Sequence, residues 1–118
     1  MCIRDSNSFN YIELSSLDNG AMKSFYGKAF GWTFEDWEQT YVAIHGAGMD
    51  GGFDQDSDRK PSEDGALVIL YSNNRVQSEV AVIDAGGIIT VKAFDFPGGR
   101  RFHFKNPSGN ELAVWSKD

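Results

Sequence analysis

The two halves of this 118-residue chain repeat one another. Ile12, Leu14, Ser16 and Gly31 match Val68, Leu70, Ser72 and Gly87 at an offset of 56 (12 to 68, 14 to 70, 16 to 72, 31 to 87). The patterns around them run in the same order. In the first half FNYIELS alternates, with Asn10, Ile12 and Leu14 on one face and Phe9, Tyr11, Glu13 and Ser15 on the other. Ser16 or Asp18 can cap the next helix. Its apolar positions Ala21, Met22, Phe25, Tyr26, Ala29 and Phe30 recur at threes and fours until Gly31 stops it. WTFEDWE, TYVAIHG and GMDGGFD then read as short strands. In the second half ALVILY is a strand, Asn73 or Asn74 a cap, 76–85 a helix and Gly86-Gly87 its stop, before the strands IITVKAF, RRFHFK and ELAVWS. A unit of roughly 50 residues cannot cover both sides of its own sheet, so the two units must pair. The expected fold class is α+β, built from two paired βαβββ modules. Module one spans about 9–54, an acidic loop with Pro61 spans 55–65, and module two spans about 66–117, all within one domain over 9–118.

The closing segment PGGRRFHFKNPSGNELAVW shows how such a sheet is dressed. Phe102 and Phe104 point one way while Arg101, His103 and Lys105 point the other. Leu112 and Val114 oppose Glu111, Ala113 and Trp115. Between the strands, Asn106 to Asn110 is turn chemistry. One face is therefore greasy and the other mixed, as when helices cover one side and something polar meets the other. The net charge of -6 argues against nucleic acid as a partner. No apolar run is long enough for a membrane span or a signal peptide, so the expected location is the cytoplasm, with no membrane partner. The opening MCIRDS has neither periodicity nor a cap, and its back-translation resembles a transposon-end sequencing adapter. Residues 1–8 are accordingly expected to be a non-native or disordered leader. Setting Cys2 aside with that leader leaves no disulfide and no thiol catalysis.

SLDNGAMKSFYGKAFGW resembles the first helix of the vicinal oxygen chelate superfamily, and PGGRRFHFKNPSGNELAVWS is similar to the closing hairpin of its glyoxalase and bleomycin-resistance-like branch. The resemblance covers about 9–117. It implies a cup-shaped, curled mixed sheet with helices outside, a site on the concave face, and commonly a homodimer. The concave set becomes Tyr11, Glu13, Leu67, Ile69, Tyr71, Arg101, His103, Glu111, Ala113 and Trp115. Catalytic members hold a divalent ion on a His in the first strand and a carboxylate in the last strand of each module. At the matching positions this chain has Tyr11, Leu67 and Ala113, and GGF offers no carboxylate in register beside Asp50 and Asp54. Glu111 lies two residues early, about 6 to 7 Å along the strand. The resemblance thus implies no cofactor and disfavours a divalent metal, leaving an improvised set of Tyr11, His103 and Glu111 as the weaker option.

Three functions follow. The first is a metal-independent protein that binds a small organic ligand through Tyr11, Glu13, Tyr71, Arg101 and Trp115. The second is a glyoxalase-like lyase or isomerase with His103 and Glu111 as the catalytic acid and base, or with an atypical metal site. The third is a protein-interaction module that uses the concave sheet. Arg101 and Glu111 are expected to form a cross-strand ion pair. His45 is expected to be exposed, while Phe25, Phe30, Trp32 and Trp37 are expected in the core. The pairs Gly51-Gly52 and Gly98-Gly99 read as bends or bulges, not phosphate loops. GxSxG, CxxC and HExxH motifs are absent from the sequence, which leaves serine hydrolase, thiol redox and zinc protease chemistry without support.

Overall fold

The computed structural model describes residues 6–117, so most of the leader expected over 1–8 lies outside the described residues. The elements run β1 (Tyr11–Ser15), α1 (Asn19–Phe30), β2 (Thr33–Glu38), β3 (Tyr41–His45), β4 (Asp50–Asp54), β5 (Val68–Tyr71), α2 (Arg75–Asp84), β6 (Ile88–Phe96), β7 (Gly99–Lys105) and β8 (Glu111–Ser116). This is the expected α+β order of two βαβββ modules. The strands form two mixed sheets, β1-β4-β3-β2 and β5-β8-β7-β6, which do not close on one another. In each sheet the first strand of the module runs parallel to the last and the other pairs are antiparallel.

The repeat persists to the atoms. Asp18 caps α1 by accepting from the Ala21 N–H at 3.1 Å, and Asn74 caps α2 by accepting from the Gln77 N–H at 3.1 Å. Ser16 and Ser72 Oγ in turn accept from the N–H of those two cap residues, at 3.1 and 3.0 Å. Gly31 closes α1 at φ 74, a left-handed conformation that favours glycine.

The core belongs to both modules. Met22, Phe25 and Tyr26 of α1 pack with Phe53 of the first sheet, Val82 of α2, and Phe102, Phe104, Leu112 and Val114 of the second sheet. The Phe25 ring lies 5.8 Å from Phe104 and the Tyr26 ring 5.5 Å from Phe53. The two modules therefore pair within one chain. Each large apolar side chain so buried is worth about 1.5–3 kcal/mol, whereas an exposed ion pair such as Lys23–Asp36 contributes about 0–1 kcal/mol. Shared burial, not surface charge, holds the halves together. Polar fastenings come from the turn before β8. Asn106 Nδ2 donates to Tyr26 Oη at 3.0 Å, Ser108 Oγ accepts from the Leu17 N–H at 2.9 Å, and Asn110 Nδ2 donates to the Ser15 carbonyl at 2.8 Å.

Two expectations change. Phe25 is buried, and Phe30 and Trp32 pack against the core, but Trp37 is 58% exposed. Phe34 faces the core, so period two puts Trp37 on the opposite face, where it stacks on Tyr41. Gly51 and Gly52 lie within β4 instead of at a bend. A Cβ on Gly51 would come within 2.5 Å of the Ile12 carbonyl oxygen, which shows close backbone approach.

Candidate functional site

The outward face of the second sheet is laid out in rows by strand register. Tyr71, Trp115, Arg101 and Phe94 form one row, Ile69, Ala113, His103 and Val91 the next, and Glu111 with Lys105 a third. Successive rows are two residues apart, about 6 to 7 Å.

His103 and Glu111 meet diagonally across the small Ala113. His103 Nδ1 lies 2.9 Å from Glu111 Oε2, which also accepts from the Thr90 hydroxyl at 3.0 Å. Their side chains are 13% and 15% exposed. An ionised carboxylate only accepts, so the imidazole proton is placed on Nδ1. Nε2 is left with its lone pair, buried and without a partner among the described residues. A histidine held in this way can take a proton at Nε2, while the carboxylate behind it stabilises the resulting imidazolium.

The expected ion pair between Arg101 and Glu111 does not form. Arg101 pairs in register with Trp115, four residues from Glu111 along β8, about 13 Å. Its guanidinium instead lies 5.2 Å from the centre of the Phe94 ring and 5.5 Å from that of Phe96. Beside it a cavity of about 230 Å³ is lined by Ile69, Phe96, Gly98, Arg101 and Trp115. Tyr71 meets Trp115 edge-on at 5.0 Å.

Tyr11 and Glu13 belong to the other sheet. Tyr41 Oη donates to Glu13 Oε1 at 3.1 Å, so its short 2.5 Å contact with Tyr11 places the proton between them on Tyr11. Burial first, then hydrogen bonding to Tyr11 and Glu13, pushes the Tyr41 hydroxyl well above the ordinary value of 10. It stays a neutral donor. Gly52 makes room for the pair, since a Cβ there would lie 2.2 Å from Tyr41 Oη and 2.8 Å from Tyr11 Oη. Among the described residues no hydrogen bond, ion pair or ring contact joins Tyr11 or Glu13 to His103, Glu111, Arg101, Tyr71 or Trp115. The expected concave set is thus divided between two sheets, and the improvised trio of Tyr11, His103 and Glu111 is not brought together. His45 is exposed, 3.3 Å from Glu35.

Sequence reading missed Tyr41, Thr90, Phe94 and Phe96, and assigned the exposed Trp37 to the core. Parity carried a signal for the first, because Tyr41 must oppose the buried Val42. At the positions that the sequence resemblance marks for metal ligands, Ala113 and Leu67 carry no donor atom and Tyr11 is engaged by Tyr41. Among the described residues no three His, Cys, Asp or Glu side chains group as a metal site.

Neither a protein-family model nor a curated protein matches the chain. Solved structures do. The chain is similar to a glyoxalase-related enzyme from Fulvimarina pelagi at 17% identity and TM-score 0.76, covering 93% of this chain and 88% of the other. It is similar to a glyoxalase/bleomycin resistance protein/dioxygenase family enzyme from Burkholderia phytofirmans PsJN at 14% identity and TM-score 0.77, covering 92% and 98%. A hypothetical protein from S. aureus matches at 20% identity and TM-score 0.72, covering 96% and 95%. The chain therefore shares the vicinal oxygen chelate fold of these structures. No helix among the described residues is long and apolar enough to cross a membrane.

Proposed function

We propose that this protein binds a small organic molecule on the outward face of its second sheet, without a divalent metal or other cofactor. The observation that carries the reading is Ala113. The position where the fold family supplies a metal-binding carboxylate holds a methyl group, and around it stand His103, Glu111, Arg101 and Trp115 as polar and aromatic groups suited to an organic ligand. In this reading Trp115 and Tyr71 wall the ligand, Arg101 and His103 orient it, and Glu111 fixes the histidine tautomer. Tyr11 and Glu13 act from a second copy. In a homodimer the first-sheet face of one chain covers the second-sheet face of its partner, which would shelter Trp37, Tyr11, Ile69 and Tyr71, at present 58%, 40%, 42% and 51% exposed.

A second reading is favoured by one specific contact. The chain Thr90, Glu111, His103 ends on a free Nε2 and matches the arrangement of a general base, so a glyoxalase-like lyase or isomerase step starting with proton abstraction is the catalytic alternative.

A thermal-shift screen of small organic compounds tests the binding reading. A ligand at 100 times its Kd adds about 2.7 kcal/mol of stability, and that gain should vanish in Trp115→Ala. Absence of any hit across a broad library, or near-stoichiometric divalent metal in protein purified without chelator, would overturn it. Turnover of a hit compound that His103→Ala abolishes would establish the catalytic alternative instead.

A further inference from the structure

We infer that the Arg101 row of the second sheet is a carboxylate site, selecting a small and largely apolar organic acid. The inference rests on the small-molecule reading above and narrows it to a ligand class.

Among the described residues the Arg101 side chain makes no ion pair and no hydrogen bond, and its Nε is buried without a partner. Its contacts are the rings of Phe94 and Phe96. Acids are not scarce in a chain with 17 Asp and Glu against 11 Lys and Arg. Lys23, Arg75, Arg100 and Lys105 each hold one, at 2.9, 3.1, 3.0 and 2.9 Å. Of the acids on the same sheet, Asp95 is engaged by Arg100 and Glu111 by Thr90 and His103. Facing aromatic rings stabilise a guanidinium, but they leave its planar fork of N–H donors without acceptors. That fork matches a carboxylate in two-pronged geometry, and the low polarity of the surroundings strengthens such a pair.

The cavity beside Arg101 sets the size and character of the rest of the ligand. At about 230 Å³ it lies below the roughly 300–1,000 Å³ of pockets for drug-sized molecules. Its other walls are Ile69, Phe96, Gly98 and Trp115, so an aromatic or aliphatic body fits and a second charge does not.

Phenylacetate is the probe and 2-phenylacetamide its neutral counterpart. Each is titrated into the full chain while the Arg101 Nε–Hε and Trp115 indole N–H resonances are followed by NMR. Phenylacetate should move both resonances and bind at least about tenfold more tightly than the amide, a ratio equivalent to about 1.4 kcal/mol. Arg101→Met should erase that preference. Arg101→Lys should retain part of it, and guards against a Met variant that misfolds. Equal binding of acid and amide would overturn the carboxylate assignment while leaving the small-molecule reading intact, as would a preference that survives Arg101→Met. No movement of either resonance at tens of millimolar phenylacetate would also overturn it. So would a preference unchanged in Arg101→Met whose dimer dissociates in light scattering, because Arg101 would then be an intersubunit contact. Failure of the broader reading is seen separately, as a compound library without a thermal-shift hit.

Discussion

Replacing Asn106 with alanine should cost about 3–5 kcal/mol, because that one side chain fastens the second module onto the first. Asn106 is 4% exposed. Its Oδ1 accepts from the backbone N–H of Ser108, Gly109 and Asn110 at 3.0, 3.1 and 3.1 Å, and its Nδ2 donates to Tyr26 Oη in the shared core. Gly109 keeps a second acceptor, the Asn106 carbonyl at 3.0 Å. The N–H groups of Ser108 and Asn110 do not, and both residues are buried. Two orphaned donors and an unpaired phenol oxygen, at about 1–3 kcal/mol each and eased by some water entry, give the stated range. Domains of this kind have about 5–15 kcal/mol in total, so the loss is a large share. Urea unfolding followed by tryptophan fluorescence reads it. With an m-value of about 2 kcal/mol/M, the midpoint should fall by roughly 2 M. Asn106→Asp keeps the acceptors, and Tyr26 can donate to the carboxylate, so that variant should lose less than half as much. An alanine variant within about 1 kcal/mol of the parent would refute the reasoning, since the turn would then be a connection and not a fastening.

Two further outcomes follow from buried or crowded groups. Burial raises the Tyr26 hydroxyl well above its ordinary value of 10, with the Asn106 hydrogen bond opposing the shift. Above pH 10 the unfolded chain loses that proton while the folded chain keeps it, so stability falls with pH by about 1.4 kcal/mol per unit; below pH 10 the group adds no slope. Tyr26→Phe should flatten the decline by that amount in urea unfolding stepped from pH 10 to 11.5, and an unchanged slope would remove Tyr26 as its source. Gly52→Ala places a methyl 2.2 Å from Tyr41 Oη, forcing the Tyr11–Tyr41 pair apart. An overpacking cost of about 1–3 kcal/mol should lower Tm by at least about 4 °C, and a Tm within 2 °C of the parent's, below about half that shift, would show that the pair yields without cost.

Most of the framework was legible because folding requires the same thing of both halves. Ile12 and Leu14 match Val68 and Leu70, and Asp18 matches the cap Asn74, since buried faces and helix starts need those chemical types wherever they occur. Face assignment by parity was legible too, and it places Arg101, His103, Glu111 and Trp115 together. Neighbours within a face were harder to read. Register shifts in β6 between Ile89 and Val91 and between Val91 and Phe94 set which rings flank Arg101, and alternation carries no mark of a bulge. Trp37 misled because size was allowed to outweigh parity.

The single hollow was misread for a different reason. Alternation says which side of a strand a residue occupies but not which sheet it confronts, and here the modules join through a helix-lined core that leaves each outward face on its own sheet. The same fact bears on the proposed function. At the offset that matches core to core, the outward residues differ, with Tyr11 and Glu13 answered by Leu67 and Ile69. Nothing in folding demands that these agree, since neither set is buried in the common core. The first-sheet face is therefore free to be phenolic and acidic and the second to carry an unpaired Arg101 and a poised His103. The proposed chemistry sits where the repeat breaks, and the repeat itself explains why those positions were at liberty to diverge.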